Sequence, residues 1–263
     1  MSLADPDIIL WPEASTPYPL NLDRIWVEDL AKKTGIPILA GSVIREEGAS
    51  YNAMVYIDPQ EGMRPEWYAK QVLVPFGEYI PKPFGVIPGL KKLVGPVGNF
   101  SPGNHVYLFD LPISDGNSSG FVRAGILICY EDIFPSLSRR AVEQGAELLI
   151  VSTNDAWFAE EGCAEQHASH SILRAVENKV PVVRCGNAGW SGWIDQRGGV
   201  REVLLDDRDR VYFEGAAVIE VSIPKRHAPS LGSMGDQFAY ICSVLSIILI
   251  IYFKVSPKNR AEV

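Results

Sequence analysis

Short apolar runs alternate along the chain with stretches in which apolar residues return at helical spacing. Asp7–Trp11 reads DIILW and predicts a strand, ended by a turn at Pro12. From Leu22 to Thr34, Leu22, Ile25, Trp26 and Leu30 fall on one face of a predicted helix, and Gly35 is placed to cap it. Pro37–Ile44 is the next predicted strand. The order then recurs: a strand over Ala124–Cys129, a helix over Ser136–Gln144 capped by Gly145, and a strand over Glu147–Ser152. From that strand it recurs again, through a helix over Ala164–Asn178 to a strand over Val180–Arg184. Strand, helix, strand implies parallel pairing, so three such units predict an α/β domain.

Two stretches break the rhythm. Pro75–Gly103 holds six prolines and six glycines interleaved with apolar side chains. A loop of that length is unusual unless functional. Its greasiness predicts either packing over the domain's own surface or a lid that meets lipid or an apolar substrate. Phe238–Phe253 reads FAYICSVLSIILIIYF, sixteen residues without a charge, and Lys254, Lys258 and Arg260 follow. A spanning helix needs about 20 apolar residues, with about 17 as the lower limit. A buried C-terminal helix is the competing reading. The run has no polar stripe and ends in cations, which favours insertion with the tail in the cytoplasm and the bulk of the chain outside. The chain is therefore read as residues 1–233, an α/β domain, and 234–263, a transmembrane helix with a basic tail.

Composition narrows the function classes. Of 263 residues, 47% are hydrophobic and 21% charged, the balance of a protein with a sizeable core. Lys and Arg number 24 against 32 Asp and Glu, a net charge of −8, which argues against a nucleic-acid partner. Four cysteines, none in C-x-x-C spacing, do not make a disulfide scaffold. Met1–Asp5 has neither the basic nor the apolar region of a signal peptide.

In parallel α/β sheets, ligands collect at the carboxyl ends of strands. After DIILW come Pro12 and Glu13; after AGILI come Cys129, Tyr130, Glu131 and Asp132; after LLIVS come Thr153, Asn154 and Asp155. A carboxylate, a thiol and an amide thus converge in prospect. Cys129 is the candidate nucleophile, but a free thiol of pKa about 8.5 is mostly protonated at neutral pH. It needs a base within reach and a cation or donor for the oxyanion. Singly, a strand-end cysteine is more often a small buried hydrophobe, Glu13 a solvated loop residue, Lys70 a surface lysine and Glu78 a loop anchor.

Together they form a pattern. Trp11-Pro12-Glu13, Tyr68-Ala69-Lys70 and Cys129-Tyr130-Glu131 occur in that order. This resembles the Glu-Lys-Cys constellation of the nitrilase, or carbon–nitrogen hydrolase, superfamily. The motifs Y-x-K-x-x-L-V-P-F-G-E-Y at 68–79, C-Y-E at 129–131 and S-T-N-D-A-W-F at 152–158 are similar to its apolipoprotein N-acyltransferase branch. Q-H at 166–167, R-A-V-E at 174–177 and the C-terminal apolar segment fit the same branch.

The resemblance implies a nitrilase-like α-β-β-α sandwich, N-terminally truncated before its first strand, followed by one C-terminal transmembrane helix. It implies Cys129 as the nucleophile that carries a fatty acyl chain as a thioester, Glu13 as the general base, and Lys70 with the Tyr130 N–H as stabilisers of the tetrahedral intermediate. Glu78 would support Lys70, and Glu131 and Asn154 would shape the site. The implied donor is a phospholipid and the implied acceptor the N-terminal amine of a diacylglyceryl-modified lipoprotein. No cofactor is implied. The implied location is the inner membrane with the catalytic domain on its periplasmic side. Full-length members carry a bundle of transmembrane helices before the catalytic domain, so a separately encoded membrane segment is a further expected partner.

Two enzyme-site alternatives and one non-enzyme alternative stand beside this. A soluble amidase or nitrilase would use the same three residues with water or ammonia. Cys163, His167 and His170 fall at i, i+4 and i+7 and could share a helix face as zinc ligands, but no fourth ligand is evident nearby. A truncated remnant that binds without reacting would keep the fold and lose the chemistry.

Overall fold

A computed structural model describes residues 6–82, 99–114, 119–156, 162–224 and 237–255. Most of the Pro75–Gly103 loop (83–98), Trp157 and Phe158 of the S-T-N-D-A-W-F motif, and Lys258 and Arg260 of the basic tail lie outside the described residues. The first sheet has four strands in spatial order β1 (Ile9–Trp11), β2 (Ile38–Glu46), β3 (Ala49–Asp58) and β4 (Gly62–Ala69). Helix α1 (Ile25–Thr34) connects β1 to β2, which pair in parallel. The second sheet has six strands. They are β5 (Leu108–Ser114), β6 (Ser119–Ile128), β7 (Leu148–Asn154), β8 (Val182–Asn187), β9 (Gly192–Ile194) and β10 (Val200–Val203), neighbours in that order. Helix α2 (Pro135–Glu143) links β6 to β7 and α3 (Cys163–Asn178) links β7 to β8. Both of those strand pairs are parallel, like β1 with β2, and the remaining strand pairs are antiparallel.

Strand alternation sets the layers. Successive side chains point to opposite faces of a sheet, and here both faces are apolar because both are covered. On β2 and β3, Leu39, Met54 and Tyr56 face the second sheet, while Ile38, Ala40, Val55 and Ile57 face Val27 and Ala31 of α1. On β6 and β7, Ala124, Ile126, Ile128, Leu148 and Ile150 face the first sheet, and Leu127, Leu149 and Val151 face Leu137, Ala141, Ala164 and Ala168 of α2 and α3. The result is helix, sheet, sheet, helices: the α-β-β-α sandwich.

The three parallel units match the periodicity in the sequence, but α1 starts later and turns differently than expected. It begins at Ile25, not Leu22, and buries Val27 and Ala31, whereas Leu22 and Ile25 are 66% and 72% exposed. The apolar residues ahead of the helix mimicked a helical face that the Pro19 turn does not continue. Gly35 caps as expected, at φ 71°, its N–H bonding to the Ala31 carbonyl at 2.8 Å. Cys129 is not the last residue of its strand but the first of a 3₁₀ turn, Cys129–Ile133. Helix α4 (Gln237–Val255) has no buried residue over Gln237–Lys254 among the described residues, and by length and composition it could cross a membrane.

Candidate active site

Glu13, Lys70 and Cys129 each sit just past the end of a strand, β1, β4 and β6 respectively. The first two come from one sheet and the third from the other, so the site lies where the two sheets meet. Glu13 is brought in by Gly41 of β2. A Cβ at that position would stand 2.7 Å from the Glu13 Cα and closer still to the Pro12 carbonyl. Bonds of 3.0 and 3.1 Å from the Ser15 N–H and hydroxyl to the Gly41 carbonyl tie the same turn down.

Lys70 is 1% exposed. Its Nζ donates to Glu13 Oε1 at 3.1 Å and to Glu78 Oε1 at 2.8 Å. Asn52 Nδ2, from the middle of β3, donates to the same two oxygens at 2.6 and 3.1 Å. An ammonium and an amide therefore close a ring with two carboxylates. The other Glu78 oxygen accepts the Val74 N–H at 2.8 Å. Burial disfavours the charge on Lys70, but Glu13, the Cys129 sulfur and Glu78 outweigh it and hold the ammonium protonated above its ordinary range.

Cys129 takes φ 51°, a left-handed conformation that is uncommon for a residue with a side chain. Burial pushes its thiol up to about 12, with Glu13 and Asp155 adding to the rise and Lys70 and the Thr153 hydroxyl opposing it. The resting group is a thiol, and ionising it requires a base. Tyr130 packs edge-on against Phe134, centroids 5.1 Å apart.

Glu131 is fully buried and spans the two sheets. It accepts the N–H groups of Gln71 and Val72 at 2.6 and 3.1 Å, the Tyr68 hydroxyl at 2.8 Å and the Ile128 N–H at 2.7 Å. Burial lifts this carboxyl to about 7 against those donors. It fastens the chain on either side of Lys70 to the turn that carries Cys129. Asn154 closes β7, and its Oδ1 accepts from the Ala156 N–H and from Asn187 Nδ2.

Sequence reasoning missed Asn52, whose only signal is a polar side chain within the apolar run YNAMVYI. It also missed the cluster behind the nucleophile. His167 Nδ1 lies 2.9 Å from Asp155 Oδ1, and Nε2 lies 3.1 Å from Asp132 Oδ1. Both ring nitrogens are thus engaged away from Cys163 and His170. Among the described residues no group of His, Cys, Asp and Glu is arranged to hold a metal ion.

The family model described as carbon–nitrogen hydrolase matches residues 5–223. Apolipoprotein N-acyltransferase of Geobacter metallireducens is 37% identical over 247 residues, 90% of this chain and 44% of that protein. The protein of the same name from Bdellovibrio bacteriovorus is 34% identical over 74% of this chain and 37% of its own length. The chain thus spans less than half of the curated relatives it matches. Among solved structures, a carbon–nitrogen hydrolase superfamily protein from Xanthomonas campestris superposes with a TM-score of 0.56 at 18% identity, covering 77% of this chain and 75% of that one. An amidase from Nesterenkonia gives 0.54 at 18% identity, over 75% and 73%. At that identity the likeness is one of fold.

Proposed function

Since the chain belongs to the carbon–nitrogen hydrolase family, we propose that it is the catalytic part of an apolipoprotein N-acyltransferase, with Glu13, Lys70 and Cys129 as its reacting groups. The observation that carries the reading is the buried Lys70, held between Glu13 and Glu78 and electrostatically coupled to the Cys129 sulfur. Similarity to named N-acyltransferases at 34–37% identity supports the choice of acyl transfer to an amine over hydrolysis.

Glu13 has one oxygen occupied by Lys70 and Asn52, and its other oxygen takes the Cys129 S–H proton. The thiolate attacks the ester carbonyl of a phospholipid. Lys70 and the Tyr130 N–H stabilise the oxyanion. Collapse breaks the ester C–O bond, the lysophospholipid leaves with the proton from Glu13, and the acyl chain remains as a thioester. The N-terminal amine of a diacylglyceryl-cysteine protein then attacks, Glu13 receives its proton, and the thiolate leaves and is reprotonated. The proposed location is the inner membrane, anchored by α4 with Lys254 on the cytoplasmic side and the site on the periplasmic side.

Incubation with phospholipid should add one acyl mass to the peptide containing Cys129, labile to hydroxylamine. Cys129→Ala should abolish the adduct, and Glu13→Gln should slow its formation by about 10²–10⁴-fold. An adduct that survives Cys129→Ala would remove the assignment. Release of free fatty acid in place of transfer to a diacylglyceryl peptide would move the protein to the hydrolases.

A further inference from the structure

We propose that His167 is a positioning residue for Cys129, its imidazolium clamped between Asp132 and Asp155 and its Nε2–H donated to the Cys129 carbonyl, so that the nucleophile keeps its left-handed backbone and its place beside Glu13 and Lys70. This rests on the reading of Cys129 as the nucleophile. No role in the reaction scheme above falls to His167, yet it is the one side chain on α3 that reaches the Cys129 backbone.

The protonation state follows from the partners. Nδ1 lies 2.9 Å from Asp155 Oδ1 and Nε2 lies 3.3 Å from the carbonyl oxygen of Cys129. A carbonyl and a carboxylate only accept, so both ring nitrogens carry hydrogens. Asp132 Oδ1, 3.1 Å from Nε2, receives no other hydrogen bond and faces the ring as an ion pair. The frame around the ring is rigid. Arg184 Nη1 binds Asp132 Oδ2 and donates to Ser171 Oγ at 2.7 Å, and Ser171 donates to Asp132 Oδ2 at 2.8 Å. Arg174 Nη1 holds the carbonyls of Asp132 and Ile133, both at 3.1 Å. Thr153 donates to Asp155 Oδ1 at 3.1 Å, and its hydroxyl also neighbours the Cys129 sulfur. Two carboxylates face two cations, and the turn that bears the nucleophile is gripped from α3, β7 and β8. A side chain at φ 51° is strained and persists only where surrounding contacts hold it. The Nε2–H on its own carbonyl is such a contact.

A network that merely tied α3 to the sheet would be indifferent to which ring nitrogen is kept. Two isosteres separate the cases. His167→Gln places an amide N–H where Nε2 stands, toward the Cys129 carbonyl. His167→Asn places one where Nδ1 stands, toward Asp155. Both remove the buried cation, so the electrostatic cost is shared. Loss of one such buried donor corresponds to about 5- to 100-fold in rate. Alkylation of Cys129 by iodoacetamide and acylation by phospholipid are both followed on the Cys129 peptide, with melting temperatures recorded.

The expected result is His167→Gln within about fivefold of wild type in alkylation and His167→Asn slower than His167→Gln by about tenfold or more, at matching melting temperatures. Equal impairment of the two variants, or none in either, would overturn the proposal. Nitrogen-15 spectra of labelled histidine in the unsubstituted protein supply a readout that no misfolded variant can spoil. Both His167 ring nitrogens should be protonated at pH 7, and a neutral tautomer would overturn the proposal. If the Gln–Asn order holds in alkylation while phospholipid gives no thioester in the unsubstituted protein, the positioning role stands and the acyl-transfer reading falls.

Discussion

An ammonium that is 1% exposed and faces two carboxylates cannot be deleted alone without leaving those carboxylates unpaired. Breaking a buried pair from one side costs about 3–5 kcal/mol, whereas replacing all partners together costs far less. Lys70→Met should therefore lower stability to urea by about that amount, and Lys70→Met combined with Glu13→Gln and Glu78→Gln should recover most of it. Neither form should make the thioester, which separates what Lys70 does for the fold from what it does for the reaction. His167 gives a second test. Burial pulls its pKa down, but bonding to Asp132 and Asp155 prevails and lifts it to about 9, from an ordinary 6.5. A base raised on folding adds stability that is complete below about 6.5 and fades as pH rises through about 9, here of order 3 kcal/mol. Unfolding free energies taken between those limits should fall in the wild type, and the slope should shrink in His167→Gln. A slope equal in both would show that the imidazole is not charged in the fold. Glu13, Lys70, Glu78 and Cys129 could be singled out in the sequence because each sits in a local motif, Glu13, Lys70 and Cys129 just past strand ends and Glu78 in the loop after β4. Asn52 and the His167 cluster were not, because their contacts join residues up to 52 positions apart on different elements.

At the scale of elements, what was legible is what repeats locally. The parallel units built on α1, α2 and α3 announce themselves by a change of period from 2 to 3.6. The antiparallel strands β3, β4, β5, β9 and β10 do not. Residues 53–57 of β3 are buried on both faces, so their apolar run carries no alternation to reveal a strand. Helix α4 was legible for the opposite reason, being apolar on every side. Its two interior serines bond to carbonyls one turn back, Ser243 to Ala239 and Ser246 to Cys242, both at 2.8 Å. Neither serine hydroxyl is therefore left without a partner on the helix. An arginine at the centre of a spanning helix costs about 2.5–3.5 kcal/mol on insertion scales. Ser246→Arg should therefore shift the protein from the carbonate-resistant membrane pellet toward the soluble fraction, and Lys254→Gln should not. Equal retention of Ser246→Arg and wild type in the pellet would show that α4 is not what holds the chain there.

At the scale of the whole molecule, the site belongs to neither sheet. Glu13, Asn52 and Lys70 come from the four-stranded sheet, Cys129 and Thr153 from the six-stranded one, and Glu131 reaches across to bond the chain beside Lys70. The distance between Glu13 and Cys129 should therefore depend on the apolar layer between the sheets, and not on the layer between the first sheet and α1. Ile126 and Ile57 separate these effects. Both are buried isoleucines on central strands, but Ile126 faces the other sheet and Ile57 faces α1. Truncation of either to alanine should cost about 2–5 kcal/mol, by lost burial plus the cavity left behind. Ile126→Ala lets the sheets settle toward one another, and a shift of about 1 Å at a reacting pair can cost about 10²-fold. The thioester-forming rate per folded molecule should therefore fall in Ile126→Ala and stay near wild type in Ile57→Ala, when the two are compared at equal folded fraction. Rates that track stability alone, the same for both variants, would show that the spacing of the sheets does not govern the chemistry.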